Sequence, residues 1–364
     1  MKNKNDRLNK FNKFNKFNKF NKFNSIEDLY NNSCLKYDHS IIDIKNEFIK
    51  LNKILKLNDE RIKIDTGFAC NAKCYFCYYR SHLKDPFLEL SEIKKQIFHA
   101  KQMNFKQVEF SGGESTYHPK WFDMLEIAQK LNLKSSLVSN GLLLSNYDFI
   151  KKSYNLGLKE VLFSVHGYKE NHDKMIGVEG AFEKIIQAIK YSKELGILPR
   201  INITVNLMNI KVIPNIVNYL LNIGVYQFNF IEINNSHEAF KTARKQHSEI
   251  YNSFKELEPI FDKIIETYKR DDCLNIRYLP YCKINEKYHK YMKNYIHHWF
   301  DHFDWNPLFV HRTDFTTDKI KTWKKRDLSV FIKQLKATRD YWYYKDEDCE
   351  SCKFNGVCDG YKKQ

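Results

Sequence analysis

The sequence predicts an α/β protein, a partial (β/α)6 TIM-like barrel with a small cysteine-containing C-terminal extension. Two observations carry this. Between residues 61 and 269, short apolar stretches alternate with helix-period stretches, six of each, which is the rhythm of a parallel sheet with crossover helices. Each strand candidate then runs into polar or Gly-rich residues, and in such sheets chemistry collects at the C-terminal strand ends. Six units are fewer than the eight of a closed barrel, so the curl is expected to be incomplete.

In chain order, RIKIDTG (61–67) is the first strand, followed by a cysteine loop and a helix near 90–103. QVEFSGGE (107–114) leads to a helix near 120–130, and SSLVSNG (135–141) to one near 146–155. EVLFSVHG (160–167) precedes a helix near 180–195, and INITVN (201–206) one near 213–222. YQFNFIEIN (226–234) precedes a long helix near 245–269. Four regions follow: a low-complexity tail over 1–24, an N-terminal helical segment over 25–59, the barrel over 60–271 and a C-terminal region over 272–364. In the tail, Phe recurs at 11, 14, 17, 20 and 23 with Asn and Lys between, a composition expected to be disordered. Ile44, Phe48, Leu51, Ile54 and Leu55 stand near helical spacing in the second region. The last region is rich in Tyr, His and Trp and shows no clear further βα unit. Its His297, His298 and His302 read as part of an aromatic packing segment.

Hydrophobic residues make up 43% of the 364, enough to bury a sizeable core and to exclude a wholly disordered chain. The net charge is +16, of which residues 1–24 supply +7 through seven Lys, Arg7 and Asp6. The remainder permits a nucleic-acid partner without demanding one, and equally suits an acidic electron-donor protein. No apolar run is long enough to span a membrane and no secretory pattern is visible at the N-terminus, so a cytoplasmic location is expected. Nine cysteines, clustered at 70, 74, 77 and again at 349, 352, 358, argue for metal ligation over disulfides in that compartment. Cys34 and Cys273 have no motif around them and read as small apolar residues.

CNAKCYFC (70–77) offers three thiols, Cys70, Cys74 and Cys77, one fewer than a structural zinc or an electron-carrying iron–sulfur centre takes. A metal position left open is the mark of a reactive site. The stretch resembles the CxxxCxxC signature of the radical S-adenosylmethionine (radical SAM) superfamily, including the aromatic Phe76 before the last cysteine. The resemblance implies a [4Fe-4S] cluster on the three thiolates, with SAM chelating the open iron through its amino and carboxylate groups. An electron passed through the cluster then yields methionine and a 5′-deoxyadenosyl radical that abstracts hydrogen from a substrate. In the family the segment matching Gly112, Gly113 and Glu114 contacts the SAM amino group. Asn140 in SNG and Ser164 and His166 in SVHG stand where relatives reach the ribose and methionine end. Many relatives carry Asp where this chain has His166. Many also have an Arg where HDKMI places Ile176, leaving Arg200 as a candidate partner for the carboxylate. The resemblance covers about residues 60–235.

Near the C-terminus, Cys349, Cys352 and Cys358, with Cys282 as a fourth ligand, form a set of thiolates able to hold zinc or an iron–sulfur cluster. The spacing resembles part of the SPASM and twitch extensions behind many radical SAM barrels. That implies an auxiliary [4Fe-4S] cluster, one in preference to two because Lys362 stands where the full pattern has a further cysteine. Relatives with this layout often modify peptides or proteins, and others act on small molecules. A peptide, protein or small-molecule substrate and a flavodoxin- or ferredoxin-type electron donor are therefore expected. RNA modification and a non-catalytic iron–sulfur binding role are the alternatives.

Overall fold

The computed structural model describes residues 61–77, 87–102, 105–233, 253–270, 272–292, 343–355 and 358–362. The tail over 1–24, the helical segment over 25–59, Cys34, the 297–302 histidines and the first part of the helix expected near 245–269 lie outside the described residues.

Seven strands form one sheet in sequence order, every neighbouring pair parallel. They are β1 (Arg61–Asp65), β2 (Gln107–Ser111), β3 (Lys134–Ser139), β4 (Leu158–Ser164), β5 (Leu198–Val205), β6 (Phe228–Glu232) and β7 (Leu274–Arg277). The crossovers are α1 (Leu90–Gln102), α2 (Trp121–Lys130), α3 (Tyr147–Asn155), α4 (Glu170–Ile176), α5 (Ala181–Leu195), α6 (Ile213–Asn222) and α7 (Glu258–Tyr268). The strands curl into a half-barrel, as the alternation predicted. Two elements go beyond that reading: α4, a short helix ahead of the expected α5, and β7, a strand in the stretch that showed no further unit. β7 pairs with β6 from Phe228↔Leu274 to Ile231↔Arg277. It is only four residues long, and α4 only seven, too short for periodicity to reveal. A ribbon of β8 (Tyr343–Tyr344) and β9 (Tyr361–Lys362) stands apart from the sheet.

The two faces of the sheet differ in chemistry because strand side chains alternate. Outward, Ile62, Phe110, Ile201, Ile203, Phe230 and Ile276 are buried against the helices. α5 answers with Phe182, Ile185, Ile186 and Ile189, spaced to keep one apolar stripe on the sheet. Inward, polar side chains from several strands meet, with Leu162 and Ile231 on the same face. Glu109 Oε2 accepts from Arg61 Nη1 at 2.9 Å and Arg200 Nη2 at 3.1 Å, and Glu160 Oε2 accepts from Arg61 Nη2 at 2.5 Å. Burial works to lower the Arg61 pKa, yet the charges of Glu109 and Glu160 outweigh it and raise it. One register row towards the C-terminal ends, Asn202, Asn229 and Asn275 lie abreast on β5, β6 and β7. Asn275 Nδ2 donates to Asn229 Oδ1 at 2.7 Å and Asn229 Nδ2 to Asn202 Oδ1 at 2.6 Å.

Arg200→Met removes one of the two arginines that bridge Glu109 and Glu160. The expected loss is about 1–3 kcal/mol, below the fully buried case because these side chains keep some solvent contact. Urea unfolding midpoints at constant slope measure it; an unchanged midpoint would show that the second arginine adds nothing.

Candidate functional site

Residues 66–77 leave β1 without regular secondary structure, so their backbone groups must find partners elsewhere. They find them on both sides. Gly113 N donates to Gly67 O at 2.8 Å and Glu114 N to Ala69 O at 3.0 Å. On the opposite flank Lys73 N donates to Ile176 O at 2.8 Å and Tyr75 N to Met175 O at 3.2 Å. The cysteine loop is thus laced between the turn after β2 and the end of α4.

That lacing explains the two glycines. A Cβ on Gly113 would stand 2.2 Å from Phe68 O and 2.4 Å from Ala69 O. On Gly112, at φ +134°, it would stand 2.2 Å from Gly67 O. The space a side chain would need is filled by the cysteine loop's own carbonyls.

Glu114 is 1% exposed and ties strand ends together. Its Oε1 accepts from Thr116 N at 3.2 Å and Ser139 Oγ at 3.0 Å, with Thr116 Oγ1 also donating, while Oε2 accepts from Asn140 N at 2.8 Å. Burial raises its pKa, against the pull of those donors. Asn140 continues outward from the same turn. Its Oδ1 accepts from Leu142 N at 3.0 Å, which aims Nδ2 at Asn71 Oδ1, 2.7 Å away, and at Cys70 Sγ, 3.8 Å away.

Cys70, Cys74 and Cys77 are half-buried free thiols. Burial pushes Cys70 up to about 12, with Glu114 and Cys77 adding to it. Cys74 is raised further by burial and by its neighbours Cys77 and Cys70. The three sulfurs therefore share one electrostatic neighbourhood. Ala72 N donates to Cys70 Sγ at 3.4 Å, a bond that favours the thiolate. Among the described residues no three His, Cys, Asp or Glu converge tightly enough for a single metal ion; a cluster places each thiolate on its own iron and needs no such convergence. The donor set, three soft thiols with amide donors on sulfur and a fixed loop, fits an iron–sulfur cluster.

His166, 4% exposed, stands over this loop with its ring edge-on to Phe76 at 4.7 Å between centroids. Its Nδ1 accepts from Thr204 N at 3.1 Å, so the neutral ring carries its proton on Nε2. Burial and the neighbouring His172 hold its pKa well below the usual value. Asn209 Nδ2 donates to His166 O at 2.7 Å, and Asn206, bonded to the Tyr75 hydroxyl at 2.5 Å, accepts on that same Oδ1 from Met208 N. These asparagines are residues the sequence reading missed; INITVN ended at Asn206, and only its place after a strand hinted at them. Ser164 closes β4 in register with Asn202. Arg200 is engaged with Glu109 and Glu160 instead of facing the strand ends.

Cys282 lies 79 residues from Tyr361 in sequence, yet its Sγ is 3.3 Å from the Tyr361 hydroxyl. Cys349 is raised to about 12, by burial first, with Asp346 and Cys358 contributing, so Cys349 and Cys358 are neighbours. Phe354 N donates to Cys352 Sγ and Gly360 N to Cys358 Sγ, both at 3.4 Å. Each repeats the residue-i to residue-i+2 turn seen at Cys70. Cys273, by contrast, is buried and donates to Arg270 O at 2.9 Å, as a packing cysteine does.

Two predictions follow from this geometry. Gly113→Ala forces backbone apart from backbone and should destabilise by more than about 2 kcal/mol; thermal unfolding would read this, and a wild-type midpoint would contradict the lacing. His172 is buried with its pKa lowered to about 4, by burial first. A group whose folded pKa lies below its unfolded value of about 6.5 gives its full stability above that value and loses it as pH falls. Unfolding free energy should drop by ~2 kcal/mol between pH 6.5 and 5 on this account, and His172→Gln should flatten that slope.

Residues 64–215 match the family model described as the radical SAM superfamily. A probable GTP 3′,8-cyclase of Saccharolobus islandicus is 28% identical over 209 residues, which cover 56% of this chain and 65% of that protein. The match thus spans just under two thirds of the relative's length. Streptococcus suis SuiB bound to the precursor peptide SuiA superposes with a TM-score of 0.56 at 16% identity, over 90% of this chain and 77% of that one. Native anSMEcpe with bound AdoMet and Cp18Cys peptide gives 0.55 at 17%, over 83% and 88%. These two share the fold. Joined to a three-thiol loop laced against GGE at the ends of a parallel half-barrel, the family match identifies residues 64–215 as a radical SAM domain.

Proposed function

We propose that the chain is a radical SAM enzyme that acts on a peptide or protein and carries one auxiliary iron–sulfur cluster in its C-terminal region. The observation that carries this reading is the pair of thiol sets, each with amide N–H groups donating to sulfur. Cys70, Cys74 and Cys77 would hold the SAM-binding cluster; Cys282, Cys349, Cys352 and Cys358 would hold the other. When loaded, the first cluster supplies the electron that cleaves SAM to methionine and a 5′-deoxyadenosyl radical for hydrogen abstraction.

The protein's own residues prepare the site. Glu114 holds the β2 and β3 ends at fixed spacing through Ser139 and Asn140, so the GGE turn would face the amino group of SAM as a rigid edge. Asn140 and the neutral His166 would offer N–H donors beside the thiol loop, and Ser164 a hydroxyl. The buried surroundings of Phe76 and His166 exclude water from a site whose product must not be quenched. A peptide is favoured by the row of Asn202, Asn229 and Asn275 on the inner wall, since carboxamides match the donors and acceptors of a peptide backbone. SuiB and anSMEcpe, which share the fold, are both known with peptides bound. The resemblance to a GTP 3′,8-cyclase supports a second reading, a nucleotide substrate. A flavodoxin- or ferredoxin-type donor would deliver the electron, and the basic surface suits its acidity.

Anaerobic reconstitution, then SAM and dithionite, should yield 5′-deoxyadenosine by chromatography. The Cys70→Ala, Cys74→Ala, Cys77→Ala variant should yield none while keeping the iron of the C-terminal set. Product from that variant would remove the three-thiol assignment. Turnover of GTP by the wild type would replace the peptide reading with the nucleotide one.

A further inference from the structure

The segment around β8 and β9 is docked against the residues that follow β7. Tyr281 and Phe354 stack at 4.8 Å with 16° between planes, His289 meets Phe354 edge-on at 4.6 Å, and Lys353 pairs with Glu286 at 2.7 Å. This docking places the C-terminal segment beside the loop that carries Cys282. Pairing of Tyr344 with Tyr361 in the ribbon, with their rings 5.6 Å apart, then fixes where the Tyr361 phenol stands. Its hydroxyl lies 3.3 Å from Cys282 Sγ.

We propose that Tyr361 is a positioning residue that sets the reduction potential of the auxiliary cluster by donating its hydroxyl hydrogen bond to the Cys282 sulfur. The inference rests on the auxiliary-cluster reading given above. A ligating thiolate has no proton to give and the phenol has one, so the direction of the bond follows once metal is bound. Reduction adds one negative charge to the cluster, and a donor on a ligating sulfur stabilises the more negative state, which raises the potential. Phe354 N and Gly360 N act in the same sense on Cys352 and Cys358, but they are backbone groups that no side-chain substitution removes. Cys282 is the one exposed thiol among the described cysteines, and its sulfur meets a side-chain hydroxyl. A raised potential would make the cluster a better electron acceptor from a substrate radical.

The test is an EPR-monitored redox titration of the reconstituted full chain, wild type against Tyr361→Phe. The expected result is a more negative midpoint for the auxiliary cluster, with unchanged iron content and an unchanged midpoint for the three-cysteine cluster in the same sample. An unmoved auxiliary midpoint at full iron content would overturn the proposal. So would loss of the auxiliary iron from Tyr361→Phe, which would make the tyrosine a structural clamp. Cys282→Ala separates the two levels: retention of the auxiliary iron with an unaltered signal would place Cys282 outside the cluster and end the proposal alone. If the Cys349→Ala, Cys352→Ala, Cys358→Ala variant lost no iron, the auxiliary reading itself would fall.

Discussion

The site depends on four backbone hydrogen bonds that hold a loop with no regular structure. Gly113 and Glu114 grip the cysteine loop from one side, Met175 and Ile176 from the other. Small metal domains often take their folding energy from the metal, and their ligands are disordered without it. Here the ligand-bearing loop is fixed by peptide groups from distant parts of the sheet. That would matter for a cluster held by three thiolates, because its remaining position would be defined only as well as the barrel's peptide groups hold the three thiols.

The same constraint sets the identity of residues before any ligand is considered. Gly112 and Gly113 lack side chains because carbonyls of the cysteine loop occupy their Cβ space, a demand made by packing before any cofactor arrives. Glu114 is consumed in joining β2 to β3. In a closed eight-unit barrel the interior is filled by layers of branched apolar side chains. On the inner face of this half-barrel the opposed charges of Arg61, Arg200, Glu109 and Glu160 form one cluster, and the amides of Asn202, Asn229 and Asn275 form a row nearer the strand ends, with Leu162 and Ile231 on the same face.

Much of this could be read in the sequence, for reasons that differ residue by residue. β1, β2 and most of β5 alternate apolar and polar positions because one face meets helices and the other a more polar interior, and period two is visible in a single chain. CNAKCYFC and FSGGES are contiguous, so spacing exposes them. β7 and α4 escaped because each is shorter than the windows in which periodicity becomes visible, and α4 supplies half of the grip on the cysteine loop. Asn206 and Asn209 escaped because their role lies in contacts to Tyr75 and His166 that are remote in sequence. Arg200 was legible as a cation but not as a member of a charge cluster, which only the register of β4 and β5 on the inner face brings about.

The placement of β7 also fixes where Cys282 stands. β7 ends at Arg277, and Tyr278, buried at φ +65°, turns the chain so that Cys282 follows only five residues after the strand. Such a φ is costly for a bulky side chain and persists only when its surroundings enforce it. Tyr281 then stacks on Phe354 and so ties the segment that carries Cys349, Cys352 and Cys358 to the residues after the strand. The C-terminal thiols are therefore registered to the last strand of the sheet whose first strand delivers Cys70, Cys74 and Cys77. Electron transfer and radical chemistry both depend on fixed separations, and a set of thiols on a freely hinged appendage would not keep one. A strand hydrogen-bonded into the barrel does.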